Sequence, residues 1–338
     1  MADDNYHPNI KVSALDAGHL TLPEHLFITD ADPEKRATVP SLSFLIQHPG
    51  SSKQPPTKLL FDLGIKRDLT GYTIAQQEHI AKRQPVIVDP DCAASLRNGH
   101  DHGTAPSAAP LLDPAKDIDY IILSHVHWDH IGTWQDFPSA IFLVGAGTMN
   151  LLKDGAPPHY PSSLFTGDEL PPSRTAELPP VPRIISDDNH PHYIPPMGKS
   201  LPKAADTWSW KPPFEGKIPR SLDLFGDGSI LVIDSPGHLY GHINLLIRVG
   251  SRRYLYLGGD CCHDPRILTG EKGIALYDDG CGGKRSVHVD TEAAGQTLEN
   301  IRQMIRGVEG SGVEVEVVVA HDAVWREKNR HRFWPGTL

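Results

Sequence analysis

The sequence predicts an α/β protein. Apolar, β-branched runs recur along the chain and are bounded by Gly, Pro, Asp and Ser. One long segment near the carboxyl end instead repeats its apolar residues at intervals of three and four. Strands followed by a helix occur in both halves. At 338 residues, with 39% apolar and 22% charged side chains, the chain can bury a substantial core. One domain over residues 1–338 is expected, with insertions at about 66–117 and 154–220 that form a cap or a pocket wall.

The elements follow in order. Residues 9–21 hint at an opening strand and turn. Ser41 to Gln47 and Lys58 to Leu63 alternate apolar and polar residues as two strands, the second ending at Asp62 before Gly64. By residue type, Asp62 before Gly64 reads as a turn former. In the first insertion, Thr73 to Lys82 and Cys92 to Leu96 suggest short helices. His100-Asp101-His102 sits between glycines and reads as a surface turn. Tyr120 to Leu123 is a short buried strand, Ala140 to Val144 another, and Thr148 to Lys153 a helix. Gly145-Ala146-Gly147 lacks the third glycine and the acidic residue of a nucleotide fingerprint, so turn chemistry explains it. Residues 154–220 hold 15 of the 31 prolines and are read as an ordered lid or pocket wall, with Trp208, Trp210 and Phe214 either packing the insertion against the main body or lining the pocket. Ser229 to Ile233 is a strand, and Ile243 to Val249 with Arg253 to Leu257 a hairpin. Asp290 to Arg306 is the clearest helix, with Ala294, Leu298, Ile301, Ile305 and Val308 on one face, stopped by Gly307 and Gly310. Glu314 to Val319 is a terminal buried strand.

Directly behind the strand at 120–123 stands Ser124-His125-Val126-His127-Trp128-Asp129-His130. Alternate residues of an extended segment share a side, so His125 and His127 can grip one cation. After the turn, Asp129 and His130 can face a second. Imidazole and carboxylate suit zinc and related divalent metals.

His-x-His-x-Asp-His at 125–130 resembles the signature of the metallo-β-lactamase superfamily, as do Pro236-Gly237-His238, Gly258-Gly259-Asp260 and Ala320-His321-Asp322 downstream. The resemblance spans roughly residues 40 to 325. It implies an αβ/βα sandwich of two mixed sheets with helices on the outer faces and the site at one edge. It also implies a ligand set: His125, His127 and His238 for one ion, Asp129, His130 and His321 for the other, and Asp260 bridging. The expected cofactors are two divalent ions, zinc foremost. Two such ions about 3.5–4 Å apart share a hydroxide that attacks a carbonyl. Asp129 is expected to move the proton. His263 stands three residues past Asp260, where lactonases of the family that open acyl-homoserine lactones carry a Tyr, and is a candidate oxyanion or leaving-group donor. His242 is a candidate support or a core histidine, Asp62 is by the same resemblance a support as readily as a turn former, and Tyr277 and His288 are pocket candidates or surface-loop residues.

The leading expectation is therefore a hydrolase opening a lactone or lactam of a small molecule, in the lactonase-like branch. Some fungal members that the pattern resembles open lactam rings. The alternatives are a thioester hydrolase of glyoxalase II type, a single-iron persulfide dioxygenase, and a metal-stapled protein without catalysis. The formal charge of −10, without single-sign blocks, argues against nucleic acid and anionic membranes as partners. The acidic amino terminus lacks an apolar core, no run is long enough to span a bilayer, and the four Cys form no disulfide framework or Cys-x-x-Cys pair. A reduced, cytoplasmic protein is expected. Oligomeric state leaves no mark on the sequence.

Overall fold

The computed structural model describes residues 9–50, 55–100, 111–182, 201–202, 205, 208–212, 219–280 and 282–338. The chain opens with β1 (Lys11–Leu15) and β2 (His19–Pro23). Then β3 (Arg36–Pro40) pairs antiparallel with β2, followed by β4 (Ser43–His48) and β5 (Thr57–Phe61). Three helices follow, α1 (Ile74–Ala81), α2 (Cys92–Asn98) and α3 (Pro114–Asp117). Thr73, Asp91 and Asp113 each accept a backbone N–H at their starts. Thr73 and Gln76 close a full capping box, which fixes where α1 begins.

Next come β6 (Tyr120–Ile122), β7 (Ile141–Val144) and α4 (Thr148–Asp154). The hairpin of β8 (Gly155–Ala156) and β9 (Tyr160–Pro161) precedes β10 (Thr175–Glu177). The second half runs through β11 (Ser221–Asp223), β12 (Ile230–Asp234), β13 (Ile243–Arg248) and β14 (Arg253–Leu257). It continues through α5 (Pro265–Thr269), β15 (Tyr277–Asp278), β16 (Lys284–Arg285), α6 (Thr291–Val308), β17 (Glu314–Val318) and α7 (Ala323–Lys328).

Two mixed sheets result, in the orders β1-β4-β5-β6-β7-β10 and β11-β12-β13-β14-β17. Period-two alternation decides which residues lie between them. Val12, Phe44, Leu59, Ile122 and Leu143 of the first sheet meet Val232, Leu245, Ile247, Leu255 and Leu257 of the second in one core. Leu45, Leu60, Ile121 and Phe142 belong to the other apolar cluster, which includes Leu96 of α2. Ile233, Leu246 and Tyr256 belong to it as well, with Leu298, Ile301 and Met304 of α6. Helix, sheet, sheet and helix therefore stack as the αβ/βα sandwich.

Topology delivers the loops to one edge. β5, β6 and β7 are mutually parallel. β12 and β14 are both antiparallel to β13 and so run alike, and β17 is parallel to β14. Hydrogen bonds tie the carboxyl ends of the two sheets together: Ile243 N–H donates to Ser124 O at 2.9 Å, and Leu42 N–H to Ala320 O at 3.0 Å.

Four expectations change. β10 lies within the Pro-rich stretch but joins the first sheet parallel to β7, so that stretch is not all cap. The terminal strand is half-exposed, with only Val318 buried, because it lies at the edge of its sheet. In α6 the inward positions are Ala294, Thr297, Leu298, Ile301 and Met304. Ile305 is exposed, and the helix runs through Gly307 to Val308. The strands β3 and β11 lacked an apolar run long enough to announce them. Among the described residues, no helix is long and apolar enough to cross a membrane.

Candidate metal centre

All seven ligand-type residues singled out in the sequence converge at the shared edge. His125, His127, His238 and Asp260 offer ligand atoms within 4.8 Å of one another, and Asp129, His130 and His321 form a second such group. Asp260 stands between them. Its Oδ2 lies 3.4 Å from His238 Nε2 and 3.7 Å from His125 Nε2, while Oδ1 lies 3.3 Å from His130 Nε2 and 3.2 Å from His321 Nε2. One carboxylate thus turns one oxygen to each group. His321 Nε2 is also 3.6 Å from Asp129 Oδ2.

The local backbone explains the convergence. Gly259 has φ +45°, and a Cβ there would stand 2.7 Å from Ser124 Cβ, so a side chain would push Asp260 away from the β6 loop. Gly237, at φ +129°, lies so close to the start of α6 that a Cβ would collide with Ala294. These two close approaches set Asp260 and His238 against the histidine-rich loop.

Outer hydrogen bonds fix the ring tautomers. Asp62 Oδ1 accepts from Ser124 N–H at 2.7 Å, and Oδ2 accepts from Ser124 Oγ at 2.8 Å and from His130 Nδ1 at 2.9 Å. Because the Ser124 hydroxyl proton is given to Asp62, its oxygen accepts from His125 Nδ1 at 3.0 Å. His125 and His130 therefore both carry their proton on Nδ1 and present an Nε2 lone pair. His321 Nδ1 donates to Pro40 O at 2.8 Å and does the same. Asp62 adopts φ +60° and is both a turn residue and a support. His242 donates from Nδ1 to Ser235 O at 3.0 Å and accepts the Asp260 N–H at Nε2, 3.2 Å away, so it braces the bridging residue. Ser41 Oγ donates to the Asp129 carbonyl.

These donors fit divalent cations. His125 Nε2 and His238 Nε2 each approach His127 Nδ1 at 3.0 Å, so three ring nitrogens converge on one point. His130 Nε2 and Asp260 Oδ1 are buried without a hydrogen-bond partner among the described residues. Burial, and then the neighbouring imidazoles, push His125 and His238 well below the ordinary histidine range. Burial also holds His127 low, so all three rings are neutral, as ligation requires. Burial opposes the charged form of His130 and His321 as well, but the carboxylates of Asp260 and Asp129 beside them outweigh it and raise both. Against its own burial, Asp260 is held well below the carboxylate range by His321, His130 and His263.

A cavity of about 610 Å³, open mouth included, lies over the cluster. His127, Asp129, His238, Asp260, His263 and His321 form its floor, and Leu20, Leu22, Phe27, Trp128, Tyr160 and Val287 form its apolar wall. His263 Nε2 is 3.1 Å from Asp260 Oδ2, and its ring stacks on His321 with centroids 5.6 Å apart. His288 is buried, its Nδ1 3.3 Å from His238 Nδ1, rather than in a surface loop. Tyr277 is half-buried beneath Arg285 and outside the cavity wall. Trp210 belongs to the core between the sheets and the half-buried Trp208 packs against it; their indole N–H groups donate to Pro179 O and Leu224 O respectively. Of the two readings, packing against the main body therefore holds for both and pocket lining does not, and Phe214 lies outside the described residues. His100 is 3.4 Å from Asp16, whereas Asp101 and His102 also lie outside the described residues. Cys92, Cys261 and Cys262 are free and buried; Cys281 lies outside the described residues.

The sequence did not reveal Gln76, His79 and Arg83, which line the cavity from α1 and the turn after it, or Tyr160, whose hydroxyl donates to Val287 O at 2.5 Å. The i, i+4 spacing of His79 and Arg83 placed them on one face; nothing local told which way that face turns.

Residues 101–258 match the family model of the metallo-β-lactamase superfamily. Gamma-lactamase MBL2 of Gibberella moniliformis is 30% identical over 210 residues, covering 61% of this chain and 70% of that protein. Cytochrome P450 monooxygenase mpaDE' of Penicillium brevicompactum is 26% identical over 346 residues, covering 97% of this chain and 35% of that one. The chain thus spans about a third of the length of the first curated relatives it matches. In fold it resembles the solved structure of an N-acyl homoserine lactone hydrolase with N-hexanoyl-L-homoserine bound at its catalytic metal center. The TM-score is 0.59 at 13% identity, over 97% of this chain and 98% of that one.

Proposed function

Because this chain belongs to the metallo-β-lactamase superfamily, we propose that it is a metal-dependent hydrolase that opens the ring of a small-molecule lactone or lactam. His125, His127 and His238 would hold one divalent ion, Asp129, His130 and His321 a second, and Asp260 both, with zinc as the expected metal. The observation that carries this reading is the division of Asp260, with Oδ2 against the first group and Oδ1 against the second. Bound there, divalent ions bring the pKa of a coordinated water to about 7 and polarise a carbonyl.

The chain's own residues do the rest. Asp129, in the cavity floor, takes the proton of the attacking water and passes it to the ring oxygen or nitrogen that leaves. His263, beside Asp260, donates a hydrogen bond to the carbonyl oxygen as charge gathers on it. Leu20, Leu22, Phe27 and Trp128 keep water from the reacting ring and receive its apolar part. The second donor group is as fully built as the first, which weighs against a single-iron dioxygenase.

The test pairs metal analysis with a panel of lactones, lactams and thioesters. Two tightly held equivalents and turnover of a ring substrate, both impaired in His125→Ala, are expected. Retention of only one equivalent after careful loading, or turnover of thioesters alone, would overturn the reading.

A further inference from the structure

Arg83 has no counterpart in the mechanism above. It follows α1, shares the cavity wall with Gln76, His79 and the donor cluster, and has its backbone pinned on both sides. Its N–H donates to Ile80 O at 2.8 Å, and its carbonyl accepts from Thr21 N–H at 2.9 Å. The guanidinium lies over the Phe27 ring, 5.9 Å from its centroid. Among the described residues it makes no hydrogen bond and no ion pair. Other arginines of the chain differ: Arg67 is held by Asp91 and Asp136, Arg266 by Asp264 and Glu24, and Arg326 by Asp16. Half-buried in the wall, the guanidinium loses part of its hydration and has only the Phe27 face and no anion beside it in return. Burial accordingly presses its pKa down from the usual arginine range, although Asp129 pulls the other way. Asp129, the carboxylate whose charge acts on it, belongs to the donor cluster.

We propose that Arg83 is a specificity-determining residue that binds a carboxylate carried by the substrate away from the ring that is opened. The planar fork accepts a carboxylate bidentately, a geometry that lysine cannot reproduce. Phe27 beneath it and Leu20 and Leu22 beside it enclose the apolar segment joining that carboxylate to the ring. His79, pushed down to about 4 mainly by burial, is neutral near pH 7, so Arg83 is the charge an anion would meet there. The preferred substrates are thus acidic lactones or lactams rather than neutral ones.

This inference rests on the ring-opening reading, and its test separates the two. Homoserine lactones whose acyl chain ends in a carboxylate, in graded lengths, are compared with their methyl esters. In the metal-loaded wild type, kcat/KM should favour the acid over the ester by about ten- to a hundredfold at the matching length, as expected for a hydrogen bond between charged groups. In Arg83→Gln that ratio should fall to near one, and in Arg83→Lys it should lie between. If no ring substrate turns over, the proposed function fails on its own. Calorimetry of the same acid and ester pairs on metal-stripped protein then still decides: tighter binding of the acid by wild type but not by Arg83→Gln supports the role. Equal preference in wild type and Arg83→Gln, by either readout, overturns it.

Discussion

Replacing Asp62 by Asn should cripple the metal centre while leaving the fold intact, and the hydrogen bonds around it say why. Asn is isosteric with Asp and tolerates the left-handed backbone that Asp62 adopts at φ +60°. The Ser124 N–H is fixed and must keep its acceptor at 2.7 Å, so the amide oxygen takes the Oδ1 place and the amide nitrogen the Oδ2 place. That nitrogen then points two protons at Ser124 Oγ and His130 Nδ1, both of which had donated to Asp62. Each must become an acceptor. His130 moves its proton to Nε2, the atom that faces Asp260, and can no longer ligate. Ser124 turns its proton toward His125 Nδ1, which forces the same change there. One atom's exchange reverses two tautomers, one in each donor group. Loss of such outer partners typically costs 10–100-fold in metal affinity, about 1.4–2.7 kcal/mol. Chelator competition on wild type and Asp62→Asn, with circular dichroism to verify folding, measures it. A folded variant that holds both equivalents as tightly as wild type would refute the tautomer argument.

Two further outcomes follow from burial. His242, fully enclosed behind Asp260, has its imidazole pushed down to about 4, chiefly by burial. The unfolded chain takes up that proton near the ordinary histidine value of about 6.5, so stability falls as pH drops from about 6.5 towards 4, by about 2 kcal/mol between pH 7 and pH 5. Denaturant melts of metal-stripped protein should show that much less acid sensitivity in His242→Gln, and an unchanged slope would contradict the assignment. Trp210→Ala should cost about 3–5 kcal/mol in stability, because the indole fills the core between the sheets and donates to Pro179 O. Metal stoichiometry should not change with it. Loss of ring-substrate affinity at intact stability would instead restore Trp210 to the pocket.

What could be read from the sequence, and what could not, divides along one physical line. The donor residues sit in turns directly behind strands, and a strand's carboxyl end is a local property of the chain. β6, β12 and β14 were therefore legible from their apolar runs, and the loops that follow them could be placed. The brace around the donors was only half legible. Asp62 stands before Gly64, where a turn accounts for it, and only the register that sets β5 beside β6 brings it to Ser124 and His130. The cavity wall was least legible. Trp208 and Trp210 suit a pocket by type as well as they suit packing, whereas Trp210 lies in the inter-sheet core and Trp208 packs against it. Arg83 looks like a surface residue by type, yet it is drawn into the wall because Thr21 and Ile80 fix its backbone there.

The same division separates chemistry from selectivity. Apart from His321, which follows the edge strand β17, the turns that supply the donors follow strands inside the two sheets, so the donor cluster is set by the part of the molecule that tertiary packing constrains most. Leu20 and Leu22 of β2, Gln76 and His79 of α1, and Tyr160 of β9 come from outside the two main sheets. Those peripheral elements can change length and side chain without disturbing Asp260 and its partners. On the proposed ring-opening reading, the choice of substrate should thus be decided by segments whose sequence says least about where they will lie, and the proposed role of Arg83 would make that choice a matter of charge.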